Sequence, residues 1–389
     1  MRGRPRLVAL MASVLAPVLT MSACAEGAAG GSTSSDEVVV ALVAPTSGFA
    51  ANYGPEALQG VDLALDEVKS KVGDQNIKVI KVDEDVLDPS QTLQRIKSAV
   101  EGDGADIVIG PIFGSSQQAV SAYLTQAGVP MFTTLGGDTS LAGDNSAFVW
   151  PGADSKTASP LGTYAAEDLG YKTIATLAPD YAYGHNAMKG ITDAFTAAGG
   201  TVAQQQWVPL GTTDMLQYAT AMDKNVDALA MWLVPTDAAA FIKEYRNLDI
   251  KVPLLLFQGV FDPTFQDIGG QLIGEVGLNE WNHLLDNPAN KTFTDAYAAK
   301  YDGGIPNQTT AFSYTVMKNI ITALDADGGD TSVAALRKAL AGRKLDTVSG
   351  PAEYNEDGIA AGTRTIVKAA KLDGRYEWEP VKTYDNIGN

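Results

Sequence analysis

Residue types that usually do chemistry are scarce in this chain, and their spacing excludes more than it offers. His185 and His283 are the only histidines, and neither falls in a cluster with metal-ligand spacing. Neither a metal centre nor a Cys–His nucleophile is therefore expected. No Gly-x-Ser-x-Gly elbow, Walker loop or Gly-x-Gly-x-x-Gly following a strand occurs. The run Asp325-Ala326-Asp327-Gly328-Gly329-Asp330 lacks the twelfth-position Glu of a calcium loop and reads as a helix cap. The expectation is no catalytic residue, no metal and no cofactor, which disfavours a hydrolase or dehydrogenase. Recognition chemistry remains. Ser115 and Ser116 open a helix-like segment, whose unpaired amides and dipole favour an anion. The same serines serve equally well as plain N-caps. Tyr53, Phe113, Tyr181, Tyr183 and Trp232 can cover an apolar ligand while offering a polar O–H or N–H, or they can simply pack a core.

The elements that must position these residues follow from hydrophobic patterning. Residues 38–44 form a continuous apolar run ended by Pro45, Ser47 and Gly48, as a buried parallel strand does. Leu58, Val61, Leu65 and Val68 then repeat at three and four, marking one helix face. Strand readings at 77–82, 106–110 and 129–132 alternate with helices from Pro89 and over 115–127. After Trp150 the alternation restarts, with helices at 157–169, 183–198, 214–224 and 236–248. Between them lie strands at 173–178, 201–208, 228–233 and 252–257. Two such series predict an α/β protein of two doubly wound parallel-sheet lobes joined by a multi-crossover hinge. From Gly277 the chain is helix-rich, with Phe312, Val316, Met317, Ile320, Ile321 and Leu324 on one face. It is expected to cross back and complete the first lobe. The expected lobes are 36–147 plus 278–350, and 148–277 plus 351–389, with a cleft at the strand C-termini.

The N-terminus reads as targeting rather than structure. Arg2, Arg4 and Arg6 precede an apolar stretch over 7–20, and Ser22 and Ala23 lead into Cys24. Residues 1–23 are thus a signal peptide, and no later run reaches the roughly 20 apolar residues of a membrane span. Cys24 is the only cysteine among 389 residues, so no intramolecular disulfide can form. The run Leu19-Thr20-Met21-Ser22-Ala23-Cys24 resembles a bacterial lipoprotein box, which implies acylation of Cys24. Residues 24–35 then form a tether of small residues. The formal net charge of −18 repels nucleic acid and anionic headgroups. The expected location is extracytoplasmic, with contact to the membrane through the lipid anchor only.

From about Val38 onward the chain resembles the type I periplasmic solute-binding proteins of ABC importers, in the leucine/isoleucine/valine-binding group. The markers are Pro45-Thr46-Ser47-Gly48 with Tyr53-Gly54, Asp88-Pro89, Ile109-Gly110-Pro111 and Ala127-Gly128-Val129-Pro130. Tyr183-Gly184, Gly199-Gly200, Gly211-Thr212-Thr213-Asp214, Ser349-Gly350-Pro351 and Asn355-Glu356-Asp357-Gly358 follow in order. The resemblance implies a monomer that captures a small solute, an amino acid or a related aromatic or carboxylate compound, and delivers it to permease subunits. A ligand-sensing receptor domain of the same fold is the alternative. By the resemblance, Phe113, Gly114, Ser115 and Ser116 hold the ligand's carboxylate, with Leu135, Gly136 and Gly137 in the next loop. Tyr53, Tyr183, Trp232 and Gln258 complete the expected site. Gly114, Gly137 and Gln258 stand where binders of aliphatic amino acids usually have a hydroxyl, a threonine and a carboxylate. This predicts a ligand with an apolar or aromatic body and at most one strong anionic group; Asp138 or Asp237 is the candidate stand-in for the missing carboxylate, against the commoner role of loop acids as solvated groups or caps.

Overall fold

The first strand shows how the sequence divides between two sheet faces. In Glu37–Ala44, Val38, Val40 and Leu42 enter one hydrophobic cluster while Val39, Ala41 and Val43 enter another. A period of two with both faces apolar is what a central strand covered by helices requires. A computed structural model describes residues 36–388 apart from 136, 142, 144, 145 and 153, with 49, 139, 154 and 235 described by their backbone alone. The expected signal peptide, Cys24, the tether and Gly136 lie outside the described residues.

In chain order the first sheet is built by β1 (Glu37–Ala44), α1 (Tyr53–Val68), β2 (Lys71–Val72), β3 (Gln75–Asp83) and α2 (Pro89–Glu101). It continues with β4 (Ile107–Ile109), α3 (Gly114–Ala127), β5 (Met131–Phe132) and β6 (Ala147–Phe148). The second begins with α4 (Asp154–Glu167), β7 (Thr173–Pro179), α5 (Ala182–Ala197), β8 (Thr201–Val208) and α6 (Leu216–Thr220). It proceeds through β9 (Ala228–Met231), α7 (Pro235–Asn247), β10 (Leu254–Phe257), α8 (Thr264–Ile268) and β11 (Val276–Asn279). Three helices follow: α9 (Pro288–Lys300), α10 (Gln308–Ala326) and α11 (Val333–Leu340). The chain closes with β12 (Lys344–Thr347), β13 (Gly350–Tyr354), β14 (Ala360–Leu372) and β15 (Arg375–Ile387).

The six-stranded sheet has the order β2-β3-β1-β4-β5-β6 and is parallel except where β2 turns back on β3. The nine-stranded sheet has the order β12-β13-β14-β11-β10-β9-β7-β8, with β15 paired to β14. Its β7–β11 part is parallel, as patterning predicts. The four last strands pair antiparallel, so this sheet is mixed rather than purely parallel. Sequence patterning reads the tail as helical because α10 dominates it, and the alternation in β15 is too polar to stand out.

After β11 the chain does return to the first core. Phe293, Phe312, Met317, Ile320 and Leu324 pack in the same cluster as Val38, Val40 and Leu42. Gly60 makes this docking possible: a Cβ there would lie 2.1 Å from the carbonyl oxygen of Thr310, so α1 and α10 approach backbone to backbone. Their N-termini end side by side at the C-terminal edge of the sheet. At the crossovers Val149 bridges Ile359, its amide donating to Gly358 O and its carbonyl accepting from Ala360 N. Trp150, next in the chain, is buried edge-on against Phe312 and beside Tyr354. It packs in the first core at the crossover.

Candidate functional site

Both sheets end on one cavity. It has a volume of about 260 Å³ and is lined from the loops that leave β1, β4, β5, β7, β9 and β10, together with the start of α10. Ligand sites of α/β sheets form at strand C-termini, and the volume sits just under the roughly 300–1,000 Å³ usual for small-molecule pockets. That favours one ring or one short side chain over a nucleotide or an oligosaccharide.

Tyr53, Phe113, Gly114 and Leu135 line the cavity from the first sheet; Tyr181, Tyr183, Trp232 and Gln258 line it from the second. The aromatics form two opposed groups. Tyr53 meets Phe113 edge-on at 5.9 Å, and Tyr183 packs on Trp232 at 4.7 Å with Tyr181 6.0 Å from the same indole. Phe261 adds a sixth ring. The Tyr53 phenol is pushed up to about 12 by burial, reinforced by Glu56, and stays a protonated donor at neutral pH.

Other expected residues are not on the cavity. Ser115 is exposed and Ser116 is buried beneath α3, because the first turn of that helix presents Gly114 instead. Gly137 is structural: a Cβ would lie 2.0 Å from Val149 Cγ1 and 2.6 Å from Gly152 O. Its lack of a side chain therefore says nothing about ligand class. Asp138 is buried and off the cavity, accepting from Gln118 Nε2 at 2.7 Å and from Ser140 N at 2.7 Å. Asp237 is half-buried on α7 and does not line the cavity either.

The anion-binding reading of the loop over 112–116 also needs correction. Ile112 N and Phe113 N donate to Glu84 at 2.8 and 3.0 Å, so two of its amides already hold a carboxylate. Glu84 is 1% exposed, and burial pushes it up to about 7 against the opposing hydrogen bonds. The amide of Gly114 is left to open α3 at the cavity, where it has no intrahelical acceptor.

Sequence reasoning missed one wall entirely. Asn307, Gln308 and Thr309 start α10, and Asn307 caps it by accepting from Thr310 N at 3.0 Å. An Asn followed by a helical run is an N-cap signal, which the apolar face beginning at Phe312 overshadows. Glu56 from α1 and Asp262 beyond β10 also line the cavity. Burial raises the Glu56 carboxyl while hydrogen bonds from Thr309 and Asn307 oppose the shift. Asp262 is paired with Arg375. No Lys or Arg lines the cavity among the described residues. Positive potential comes instead from helix N-termini, since α1, α3, α5, α7 and α10 all begin there.

Gln258 holds an unusual backbone conformation, φ +51°, in the left-handed region that non-glycine residues seldom adopt. Its carbonyl accepts from Trp232 Nε1 at 3.0 Å and its amide donates to Glu280 Oε2 at 2.5 Å. Gln258 is thus neutral, with a buried carboxylate one layer behind it.

A family described as "Periplasmic binding protein" matches residues 37–374. The chain belongs to that family. Among curated relatives of this periplasmic binding protein, the Leu/Ile/Val/Thr-binding protein of Salmonella typhimurium is 24% identical over 331 residues. That alignment spans 84% of this chain and 89% of the relative. Among solved structures, a solute-binding protein of an ABC transporter from Rhodopseudomonas palustris BisB5, in complex with 3,4-dihydroxybenzoic acid, superposes with a TM-score of 0.84. It is 23% identical and covers 91% of this chain and 98% of its own. The branched-chain amino acid transporter substrate-binding protein LivJ of Streptococcus pneumoniae, in complex with isoleucine, gives 0.75 at 21% identity, covering 89% and 99%. No helix among the described residues is long and apolar enough to cross a membrane.

Proposed function

We propose that this periplasmic binding protein is the extracytoplasmic solute-binding component of an ABC importer. Its solute is a small aromatic carboxylate or a comparably apolar monoanion. One observation carries the ligand class: aromatic side chains from both sheets face one cavity that, among the described residues, no cationic side chain lines. A ring between Tyr53 and Phe113 on one side and Tyr183 and Trp232 on the other gains apolar burial from both lobes at once. The carboxylate is served by the Gly114 amide and the α3 dipole rather than by an arginine. The R. palustris relative in complex with 3,4-dihydroxybenzoic acid supports this class.

Contacts made by both lobes exist only when the cleft is closed, so a ligand shifts the hinge equilibrium toward closure. The permease distinguishes the two lobe arrangements. Lobes of 36–147 plus 278–350 and 148–277 plus 351–389 form the moving bodies. Residues 351–360 belong to the crossover, since Ala352, Tyr354 and Ala360 pack with the first core while Ile366 and Val367 pack in the second. Signal cleavage before Cys24 and acylation there hold a monomer at the outer face of the membrane. A thermal-shift and calorimetric screen of benzoate derivatives against leucine, isoleucine and valine tests the ligand class. Aromatic acids should raise the melting temperature, and tight binding of the aliphatic amino acids alone would overturn the reading.

A further inference from the structure

We infer that Glu280 fixes the hydrogen-bond polarity of one end of the cavity, so that the site selects a solute carrying a hydrogen-bond donor away from its carboxylate. This deepens the aromatic-acid reading and rests on it for the ligand arm of the test. Glu280 follows β11 at a crossover and is 2% exposed. Its Oε2 accepts from Gln258 Nε2 at 2.5 Å and from Gln308 Nε2 at 3.1 Å, one amide from each lobe. Its Oε1 faces Arg364 Nε at 3.7 Å, and Arg364 is buried with its other nitrogens on Thr363 O and Pro151 O. Burial raises the Glu280 carboxyl, while the Arg364 guanidinium and the two glutamine amides oppose that shift. Paired with that cation, the carboxylate only accepts, so turning either glutamine over would set oxygen against oxygen. Both amides are therefore locked with their N–H groups toward Glu280.

The consequence is read at the cavity, which both glutamines line. Gln258 Oε1 takes the Trp232 indole N–H, leaving that donor unavailable to a solute. Gln308 Oε1 is buried with no hydrogen-bond partner among the described residues. Glu56 stands beside it, hydrogen-bonded by Thr309 and Asn307. A hydroxyl or amino group on the ring can donate to Glu56 or to the second lone pair of Gln258 Oε1, and to the buried Gln308 Oε1 where lobe closure uncovers it, whereas a second carboxylate meets acceptors and buried negative charge. A site built to receive a hydroxyl rejects an analogue that lacks it more strongly than a site that merely excludes volume.

Calorimetry on the purified chain with 4-hydroxybenzoate, 4-methoxybenzoate and terephthalate reads this directly. Wild type should prefer the hydroxy compound over the methoxy compound by about 10-fold or more and bind terephthalate weakest. In Glu280→Gln the glutamines are free to turn, and the hydroxy-to-methoxy preference should collapse to within about 3-fold. Glu280→Gln leaves Arg364 an unpaired buried charge, so Glu280→Gln/Arg364→Met is the companion variant, in which a purely structural ion pair would regain normal selectivity. Retained hydroxyl preference in either variant overturns the inference. A ligand-free arm separates it from the ligand-class reading: the chain has five tryptophans, and Trp232→Phe assigns the Trp232 indole resonance. Glu280→Gln should move that resonance and speed its hydrogen exchange. If none of the three acids binds wild type, the ligand-class reading fails while this arm still decides, and an unmoved indole refutes the role of Glu280.

Discussion

Trp232→Ala separates a cleft wall from a core residue, because the two roles charge the loss to different equilibria. The indole is half-buried, 4.7 Å from the Tyr183 ring, with Nε1 donating to Gln258; its backbone is held independently by Trp232 N on Leu177 O at 3.1 Å. Complete burial of a large apolar side chain contributes about 1.5–3 kcal/mol, of which roughly half is already realised in the unliganded fold. Adding the pair with Tyr183, about 0.5–1.5 kcal/mol, folding should lose about 2 kcal/mol. In a chain of 389 residues that lowers the melting temperature by only about 2–3 °C. The half of the ring that a solute covers, with its share of ring stacking, should cost binding about 2 kcal/mol, or roughly 30-fold. Differential scanning calorimetry of the unliganded protein and titration calorimetry with the best solute of the screen measure both. A core tryptophan would instead cost about 3–5 kcal/mol of folding. A melting temperature lowered by about 4 °C or more, with affinity unchanged per folded molecule, would refute the assignment.

Glu84, raised from 4.5 to about 7 by burial, keeps its proton in the folded state at a pH where the unfolded chain has lost it. Its contribution is complete below about 4.5 and disappears as pH rises through 7, up to about 3 kcal/mol; melting curves of Glu84→Gln should therefore gain on wild type between pH 5 and 8, and parallel curves would sink the assignment. Gly137→Thr, which installs the threonine usual in binders of aliphatic amino acids, should fail to fold stably, because Val149 Cγ1 and Gly152 O occupy the space of its Cβ. A wild-type melting temperature for that variant would mean the loop has room for a ligand-facing side chain. Cys24→Ser should move the protein from the membrane fraction to the soluble fraction with affinity unchanged, and equal membrane retention after normal export would rule out the acyl anchor.

The parts of the fold that were legible in the sequence share one property: their signal is local. Residues 38–44 announce a two-faced strand by themselves, and Trp232 and Tyr183 are recognisable as cleft residues because each follows the end of an apolar strand. Glu84 and Glu280 leave no such trace. Glu84 takes amides 28 and 29 positions away, and Glu280 takes side chains 22 and 28 positions away, so no window of sequence contains donor and acceptor together. Gly137 misleads for the same reason, since the atoms that forbid its side chain come from Val149 and Gly152. These distant pairings decide the chemistry of the cleft. Each wall has a buried acidic side chain one layer back that absorbs donors a solute would otherwise use: Glu84 takes the amides of Ile112 and Phe113 on one side, and Glu280 takes Gln258 and Gln308 on the other. What faces the solute is rings, amide oxygens and helix ends, with the carboxyls of Glu56 and Asp262 at the margins and no Lys or Arg among the described residues. Ionic recognition through long charged side chains tolerates displaced partners, whereas fixed neutral groups reward only a match in shape and in the placement of one donor. Discrimination among small rings of similar size follows from that arrangement.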